Sequence, residues 1–259
     1  MAAHGDEEAA EKAMSCPMWN ACKDYVDTMF GSGIDTDDDA QFDAANHRCY
    51  CWDGGCCHMY PATMNAAGET YGLPLGWCGF GLPIDRATAK RIKLFATYHR
   101  CFHGTRASNA ATILNDPQRQ LLMRGDTTAG GNKLPRARDS GDNGFYDNIF
   151  TSKSINYCEY SKAAPHNLGG YYCIKETFRG HDFLVAFQVL QRPGSYTVGP
   201  ETVGATSSGV LIDDRCGDNS ELEWFTKRRG VHVLQRLLVK CVGQAAEPLR
   251  RGGGGAAAK

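Results

Sequence analysis

Two apolar runs in the C-terminal half constrain the fold more than any other feature of the sequence. They read DFLVAFQVLQ (182–191) and VHVLQRLLVKC (231–241), and both are rich in Val and Leu. Such runs are typical of strands that are half or fully buried, so other elements of the chain must cover them. The sequence predicts further short strands in LFATYHRCFHG, NIFTS, SYTVG and LEWFT, and helices in MWNACKDYVDTMF, SNAATILN and KSINYCEYSKA.

Charge and hydrophobicity narrow the class of protein. The 259 residues are 42% hydrophobic, enough for a packed core, and 28 basic against 29 acidic residues give a net charge of −1. This balance lacks the positive excess of a typical nucleic-acid or membrane-surface binder. No run approaches the roughly 18 apolar residues of a membrane span, and acids stand where a secretory signal needs basic and apolar residues. We therefore expect no membrane span and an intracellular protein, cytoplasmic or nuclear, with a mitochondrial location left open.

Composition also predicts how the chain is divided into disordered ends and two domains. Residues 1–14 have no apolar face and residues 246–259 are of low complexity, so both are predicted to be disordered. Residues 15–82 are predicted to form a helix and a Cys-rich module. The alternating strands and helices of residues 83–245 are predicted to form the second domain.

The stretch HRCYCWDGGCCH (47–58) predicts a metal site. A tight Gly-Gly turn brings two short cysteine arms together, which is how chains supply four converging ligands to a structural zinc ion. The absence of an HExxH motif favours a structural over a catalytic metal. The alternative interpretation is a set of buried thiols. The preferred ligands are Cys49, Cys51, Cys56 and either Cys57 or His58, with Cys16, Cys22 or Cys78 as other sources of the fourth.

A second stretch, CFHGTRASNAATIL (101–114), places a histidine, a glycine and a threonine just before a predicted helix. Gly104 has no side chain, so a planar carboxamide can approach its N–H and C=O closely. Thr105 can add a hydroxyl hydrogen bond to the same amide, and His103 can donate to a ribose hydroxyl. The stretch suits a nicotinamide nucleotide as ligand, and the alternative interpretation is a histidine that only packs or forms a turn beside Gly104.

Three stretches together resemble a known family. HGTRASNAATIL resembles the HGSRxxNxxxIL run of the poly(ADP-ribose) polymerase catalytic domain, GFYDNIFTSKSINYC is similar to its aromatic strand and SKSxNYC helix, and NSELEWFTKRRGVHVLQRLLVK resembles its last motif. The resemblance spans about residues 95 to 241 and implies a diphtheria-toxin-like ADP-ribosyltransferase. That fold is α+β, with two packed, mainly antiparallel sheets around an NAD cleft. CYCWDGGCCH, YGLPLGWCGFGL, YTVGPETVGA and ELEWFTKRRG also resemble the C-terminal region of neuralized-like proteins.

The resemblance implies roles for individual residues. Glu223 takes the place of the family's catalytic glutamate, which grips the ribose and stabilises the positive charge that develops when the nicotinamide bond breaks. His103, Gly104 and Thr105 would hold the cofactor, and Tyr157 would stack on the nicotinamide ring.

Two residues are candidates for the aromatic residue that the family has in this strand. An ungapped alignment places Tyr146 there, but GFYDN is a poor strand sequence. The alternative takes IFTS as the strand, which makes Phe150 the aromatic and Ser152 a pocket hydroxyl, and we prefer it.

Glu221 lies two residues before Glu223. Strand alternation would place both carboxylates on one face, about 7 Å apart, so that Glu221 orients an acceptor. A solvated strand acid is the alternative interpretation of Glu221.

We therefore expect an NAD-dependent mono-ADP-ribosyltransferase acting on a protein acceptor. The alternatives are an inactive ADP-ribosyltransferase-fold binding module, or an enzyme that uses water or a nucleic-acid base as acceptor.

Overall fold

A computed structural model describes residues 16–31, 34–51, 59–128, 131, 145–160 and 173–242. Its α-helices are α1 (Pro17–Met29), α2 (Arg86–Arg91), α3 (Leu94–Thr97), α4 (Ala107–Leu114) and α5 (Ile155–Glu159). Its strands are β1 (Arg48–Cys49), β2 (Thr63–Ala66), β3 (Glu69–Gly72), β4 (Cys78–Gly81), β5 (His99–Thr105), β6 (Ile149–Thr151), β7 (Glu176–Phe178), β8 (His181–Gln191), β9 (Thr197–Gly199), β10 (Glu223–Thr226) and β11 (His232–Val242).

The main sheet has six strands, with the order β1-β4-β11-β8-β5 and with β7 also paired to β8. Its two longest strands, β8 and β11, contain the two apolar runs of the sequence, and they pair antiparallel from His232 opposite Gln191 to Val242 opposite Asp182. Every residue of β8 from Phe183 to Gln191 is buried. The prediction of buried strands is confirmed, and so is the α+β class with antiparallel sheets.

A smaller sheet of order β6-β10-β9 joins the main sheet at one point. Phe102 of β5 and Ser152 form an isolated antiparallel bridge, in which each backbone N–H donates to the other residue's carbonyl, at 2.7 and 2.9 Å. Trp224 of β10 stacks on Tyr196 with ring centroids 4.4 Å apart. The bridge brings the edge of β5 next to the small sheet.

Helix α1 covers the main sheet. Pro17 occupies its first turn, where the missing N–H costs nothing, and Trp19, Cys22 and Val26 fall on one buried face as their spacing predicts. Tyr25 stacks on Phe183 of β8 at 4.2 Å. Residues on both sides of position 82 belong to the main sheet, since β1 pairs with β4 and β4 pairs with β11.

One predicted strand and the predicted placement of Glu221 in a strand differ in the structure. Leu94–Thr97 form the short helix α3 after Lys93, whose φ of 51° is left-handed, so the strand begins only at His99. Within residues 219–226, Asn219–Glu221 form a 3-10 helix and β10 begins at Glu223. None of the helices in the described ranges is both long enough and apolar enough to cross a bilayer.

Two buried histidines are held neutral. His47 Nδ1 accepts a hydrogen bond from the Gly81 N–H at 2.9 Å, a contact that requires this nitrogen to be unprotonated. Burial lowers the pKa of His47 to about 4, although a hydrogen bond to the Thr36 backbone and nearby acids oppose the shift. Burial, helped by the neighbouring His103, lowers the pKa of His232 to about 3. Because both values lie below those of the unfolded chain, acid must destabilise the fold.

We predict that the free energy of unfolding is highest above about pH 6.5 and falls as the pH is lowered, by up to about 1.4 kcal/mol per pH unit for each of these histidines. His47→Gln should reduce this slope between pH 6 and 4.5 by about that amount. Urea titrations at a series of pH values measure it, with His181→Gln, at an exposed position, as the control. An unchanged slope in His47→Gln would show that His47 is not the source.

Candidate functional site

The three stretches that resemble a transferase meet where β5, β6 and β10 adjoin. Phe102 of β5 is bridged to Ser152, and Thr151 of β6 lies opposite Trp224 of β10. Continuing this register by one residue places Glu223 next to Ser152. His103 and Glu223 therefore lie about two strand spacings apart, on the order of 10 Å.

Glu223 is a buried carboxylate at the first residue of β10, with 1% of its surface exposed. Its Oε2 accepts hydrogen bonds from the Tyr157 hydroxyl at 2.6 Å and from the Thr202 hydroxyl at 2.8 Å. The Thr202 N–H also donates to the Tyr157 oxygen, at 3.1 Å. A buried carboxylate is costly unless donors compensate it, and these hydroxyls supply such donors. Glu223 and Tyr157, assigned different roles from the sequence, thus form one hydrogen-bonded unit.

Helix α5 positions Tyr157. Ser154 is its N-cap, with Oγ accepting from the Tyr157 N–H at 3.2 Å and donating to Asp213 Oδ2 at 2.6 Å. Burial acts against the charge of Asp213, but hydrogen bonds from Arg215 and Ser154 outweigh it and hold the pKa of Asp213 below its usual range. The charged Asp213 thereby fixes the cap, and the cap orients the tyrosine.

His103 faces the same region from β5. Its Nδ1 lies 2.8 Å from the carbonyl of Phe150, and because a carbonyl only accepts, Nδ1 carries the proton. Burial lowers the pKa of His103, although the Phe150 carbonyl opposes the shift. The ring is therefore neutral, and its Nε2 is left as an acceptor that can receive a hydroxyl proton.

The backbone of Gly104 points towards helix α5. Peptide groups alternate in direction along a strand, and those of Phe102 bond Ser152, so the N–H and C=O of Gly104 point towards the same edge of β5. The Gly104 backbone bonds the thiol of Cys158, and burial nevertheless raises the pKa of Cys158 to about 12. Cys158 is thus an uncharged core thiol and not a nucleophile. Thr105 is buried at the end of β5.

Of the two candidate aromatic residues, Phe150 lies in a strand and Tyr146 does not. β6 spans Ile149–Thr151, whereas Tyr146 falls in a 3-10 helix over Phe145–Asp147, so the IFTS alternative gives the correct strand. The Phe150 ring is buried against Phe145 and Phe225, with centroids 5.1 and 6.3 Å away. Ser152 is buried, and its Oγ accepts from the Ser154 N–H at 3.0 Å. The ligand-binding roles of Tyr146, Phe150 and Ser152 stay predictions.

The geometric basis for the role of Glu221 is wrong. Strand alternation requires Glu221 and Glu223 in one strand, but Glu221 ends the 3-10 helix that precedes β10. Its carboxylate is 61% exposed and pairs with Lys153 at 3.1 Å. Lys153 also pairs with Glu69 at 3.2 Å, and although burial opposes its charge, the two acids raise the pKa of Lys153. The assignment of Glu221 as the acceptor-orienting residue therefore stays a prediction.

Three buried thiols could hold a metal ion. The sulfurs of Cys16, Cys49 and Cys51 all lie within 4.8 Å of one another. Those of Cys16 and Cys49 are 3.6 Å apart, close to the roughly 3.8 Å between two thiolates bound tetrahedrally to zinc at about 2.3 Å. The thiol of Cys78 contacts those of Cys22 and Cys49, and burial raises its pKa well above the usual value. Cys56, Cys57 and His58 lie outside the described residues.

Sequence reasoning did not single out Thr202, Lys153 and Asp213, all of which shape the site. Lys153 lies inside the quoted SKSINYC stretch, so the motif contained a signal for it. Thr202 lies in YTVGPETVGA, where nothing in the spacing connects it to Glu223. Asp213 is 59 residues from its partner Ser154, a separation that only the tertiary fold closes.

Comparison with models of known protein families gave no match, and comparison with solved structures gave none either.

We predict that Tyr157→Phe destabilises the fold by about 1–3 kcal/mol, because it removes a donor from a buried carboxylate. A double-mutant cycle with Glu223→Gln measures the coupling of the pair by urea unfolding. Additive losses in the cycle would contradict a direct Tyr157–Glu223 interaction.

Proposed function

We propose that this protein is an NAD-dependent mono-ADP-ribosyltransferase that transfers ADP-ribose to a protein acceptor. The observation that carries the proposal is the buried, hydrogen-bonded unit of Glu223, Tyr157 and Thr202, which lies near β5, the strand that contains His103 and Gly104. It combines a carboxylate in a water-poor environment with hydroxyl partners, which is the chemistry needed to bind a ribose hydroxyl and to stabilise positive charge. The resemblance of three sequence stretches to the family supports the same conclusion.

Each residue has a distinct task in this proposal. Glu223 would accept a hydrogen bond from a ribose hydroxyl and stabilise the cationic ribose as the nicotinamide bond breaks. Neutral His103, whose Nδ1 is held by the Phe150 carbonyl, would present Nε2 to another hydroxyl. The edge groups of Gly104 would hold the departing carboxamide in exchange for their bond with the Cys158 thiol, and the Tyr157 ring would pack against the nicotinamide. The acceptor would enter beside Glu221.

Access to Glu223 requires a local movement. The Thr202 hydroxyl donates to the Glu223 carboxylate, and the Thr202 N–H donates to the Tyr157 oxygen. The hydroxyl therefore occupies the place that a ribose hydroxyl would take. The Glu201 carboxylate accepts from the N–H groups of Val203 and Thr206, both at 2.7 Å, and so braces the same loop. This closure is the observation that favours the second candidate, an inactive binding module of the same fold.

We predict that the purified protein releases nicotinamide from NAD and attaches label from the adenylate side to protein. Glu223→Gln should lower both by about a hundredfold or more, because it removes the charge that stabilises the transition state. Glu159→Gln is the matched control: this carboxylate bonds Trp77 and Lys240 outside the site and should leave both rates unchanged.

The products separate the alternatives. Label on nucleic acid, or nicotinamide release without bound label, would assign a different acceptor. Long labelled polymers would contradict transfer of a single unit. No release from a folded wild-type chain would favour the inactive module.

We also propose that the cluster of Cys16, Cys49 and Cys51 holds a structural zinc ion. Three converging buried sulfurs are the soft ligands that zinc prefers, and the separation of Cys16 and Cys49 fits its geometry. The site would tie the start of α1 to β1. Cys78, or one of Cys56, Cys57 and His58, would supply the fourth ligand.

We predict about one zinc per chain in the protein as purified, and a marked loss in Cys49→Ser, with a lower melting temperature. Cys101→Ser is the control, since this buried thiol on β5 bonds Gln191 and lies outside the cluster. Metal analysis and thermal unfolding measure both effects, and comparison of Cys78→Ser with Cys57→Ser identifies the fourth ligand. Equal zinc content in Cys49→Ser and the wild type would contradict the site.

A further inference from the structure

A cavity of about 530 Å³ lies where α2, α3 and β11 meet. None of the residues of the candidate transferase site or of the thiol cluster lines it. Its apolar wall comes from α2, α3 and the segment before them: Leu82, Ile84, Ala89 and Ala96. Leu82 and Ala89 are buried, whereas Ala96 is exposed, so the cavity opens to solvent. A cavity of this size with an apolar wall is suited to the apolar side chains of a ligand.

Phe95 of α3 extends this apolar wall outwards. It lines the cavity, and 51% of its surface is exposed. Its neighbour Leu94 is buried, so α3 is anchored by one side chain and presents the next to solvent. The Thr97 hydroxyl donates to the Lys93 carbonyl at 3.1 Å, which holds this short helix in place. An exposed aromatic ring that continues an apolar wall is typical of a surface that binds another protein.

Three cations line the same cavity: Arg86, Lys90 and Lys93. Arg86 and Lys90 are four residues apart on α2, so two like charges are neighbours on one helix face, an arrangement that destabilises a helix. None of the three forms an ion pair with an acid among the described residues. The fold itself therefore gains little from placing these charges together beside the cavity.

The acids near the cavity already have partners within the fold. Asp85 caps α2 by accepting a hydrogen bond from the Thr88 N–H at 2.7 Å. Asp43, the one acid among the residues that line the cavity, accepts from the Asn46 side-chain amide at 2.6 Å. The lining thus carries three positive charges against one negative charge, and the positive charges are free to pair with acids of a ligand.

The combination of an apolar cavity with unpaired cations selects one kind of occupant. An anionic membrane surface would reach the cations but would not fill a concave site, and nucleic acid would reach them but would gain little from the apolar wall. An acidic peptide with an apolar side chain matches both features, because the side chain can be buried while the carboxylates pair with the cations.

We propose that this cavity is a docking site for an acidic segment of a partner protein. An apolar side chain of the segment enters the cavity beside Phe95, and Asp or Glu residues on either side of it pair with Arg86, Lys90 and Lys93. The role of this surface is separate from NAD cleavage at Glu223.

The test begins with selection of a displayed library of random twelve-residue peptides on the full wild-type chain. The enriched peptides should contain an apolar residue among several Asp and Glu residues. Fluorescence anisotropy of the labelled peptides then measures their dissociation constants. Added salt should weaken the binding, because the paired charges lie at an exposed rim.

Matched variants locate the peptide. Ala96→Trp, which places a large ring at the cavity wall, and Lys90→Glu, which reverses one charge, should each weaken binding about tenfold or more. Ala87→Trp and Lys227→Glu are the controls, since both positions are exposed and neither lines the cavity, and they should leave the affinity unchanged. Equal melting temperatures of the four variants and the wild type show that a loss of binding is not a loss of folding.

The outcomes separate this proposal from other partners and from the transferase. Glu223→Gln should bind the peptides as the wild type does, so a failure of the transferase proposal leaves this one standing. The proposal would be overturned if no peptide were enriched, if the enriched peptides lacked acids, or if Ala96→Trp bound them as well as the wild type. Binding of phosphatidylserine vesicles or of single-stranded RNA in place of peptides, with loss in Lys90→Glu, would likewise overturn it and assign the surface to that partner.

Discussion

The antiparallel pairing of β11 with β8 is the interaction on which the rest of the structure depends. β11 is the middle strand of the sheet order and pairs with β4 on its other side, so it connects the N-terminal strands to the strands that carry the candidate site. β8 in turn holds β5, with His103 opposite Phe187. Since side chains alternate along a strand, a shift of β11 by one residue would turn its buried set to the wrong face and displace both neighbours.

The sequence allowed much of this framework to be predicted, because long apolar runs specify buried strands almost by themselves. Local hydrogen bonds explain where the prediction was wrong. Asp218 accepts from the Ser220 N–H at 2.7 Å, and this cap starts a 3-10 helix that removes Glu221 from the strand. Lys93 adopts a left-handed φ, and the Thr97 hydroxyl donates back to its carbonyl at 3.1 Å, which keeps Leu94–Thr97 helical.

The candidate site was only partly predictable, for a different reason. The motif residues Glu223 and Tyr157 could be chosen from their sequence context, but their contact joins positions 66 residues apart. Cys16 likewise reaches Cys49 over 33 residues, through the packing of α1 on the sheet. Local patterns carry no information about such pairs, because they arise only when the sheets have assembled.

Two buried polar side chains of the described residues differ in how their hydrogen bonds are satisfied. Asp213 is satisfied on both oxygens, by Arg215 and Ser154, and its function is to hold a helix cap in place. The backbone of Gln235 is held by the Leu82 N–H, which donates to its carbonyl at 3.0 Å, and by β8, which pairs with β11 on both sides of the bulge. Its side-chain oxygen nevertheless has no hydrogen-bond partner among the described residues. Because the pairing of β11 fixes residue 235 inside the sheet, this buried acceptor carries a cost in free energy that the apolar burial of β8 and β11 offsets.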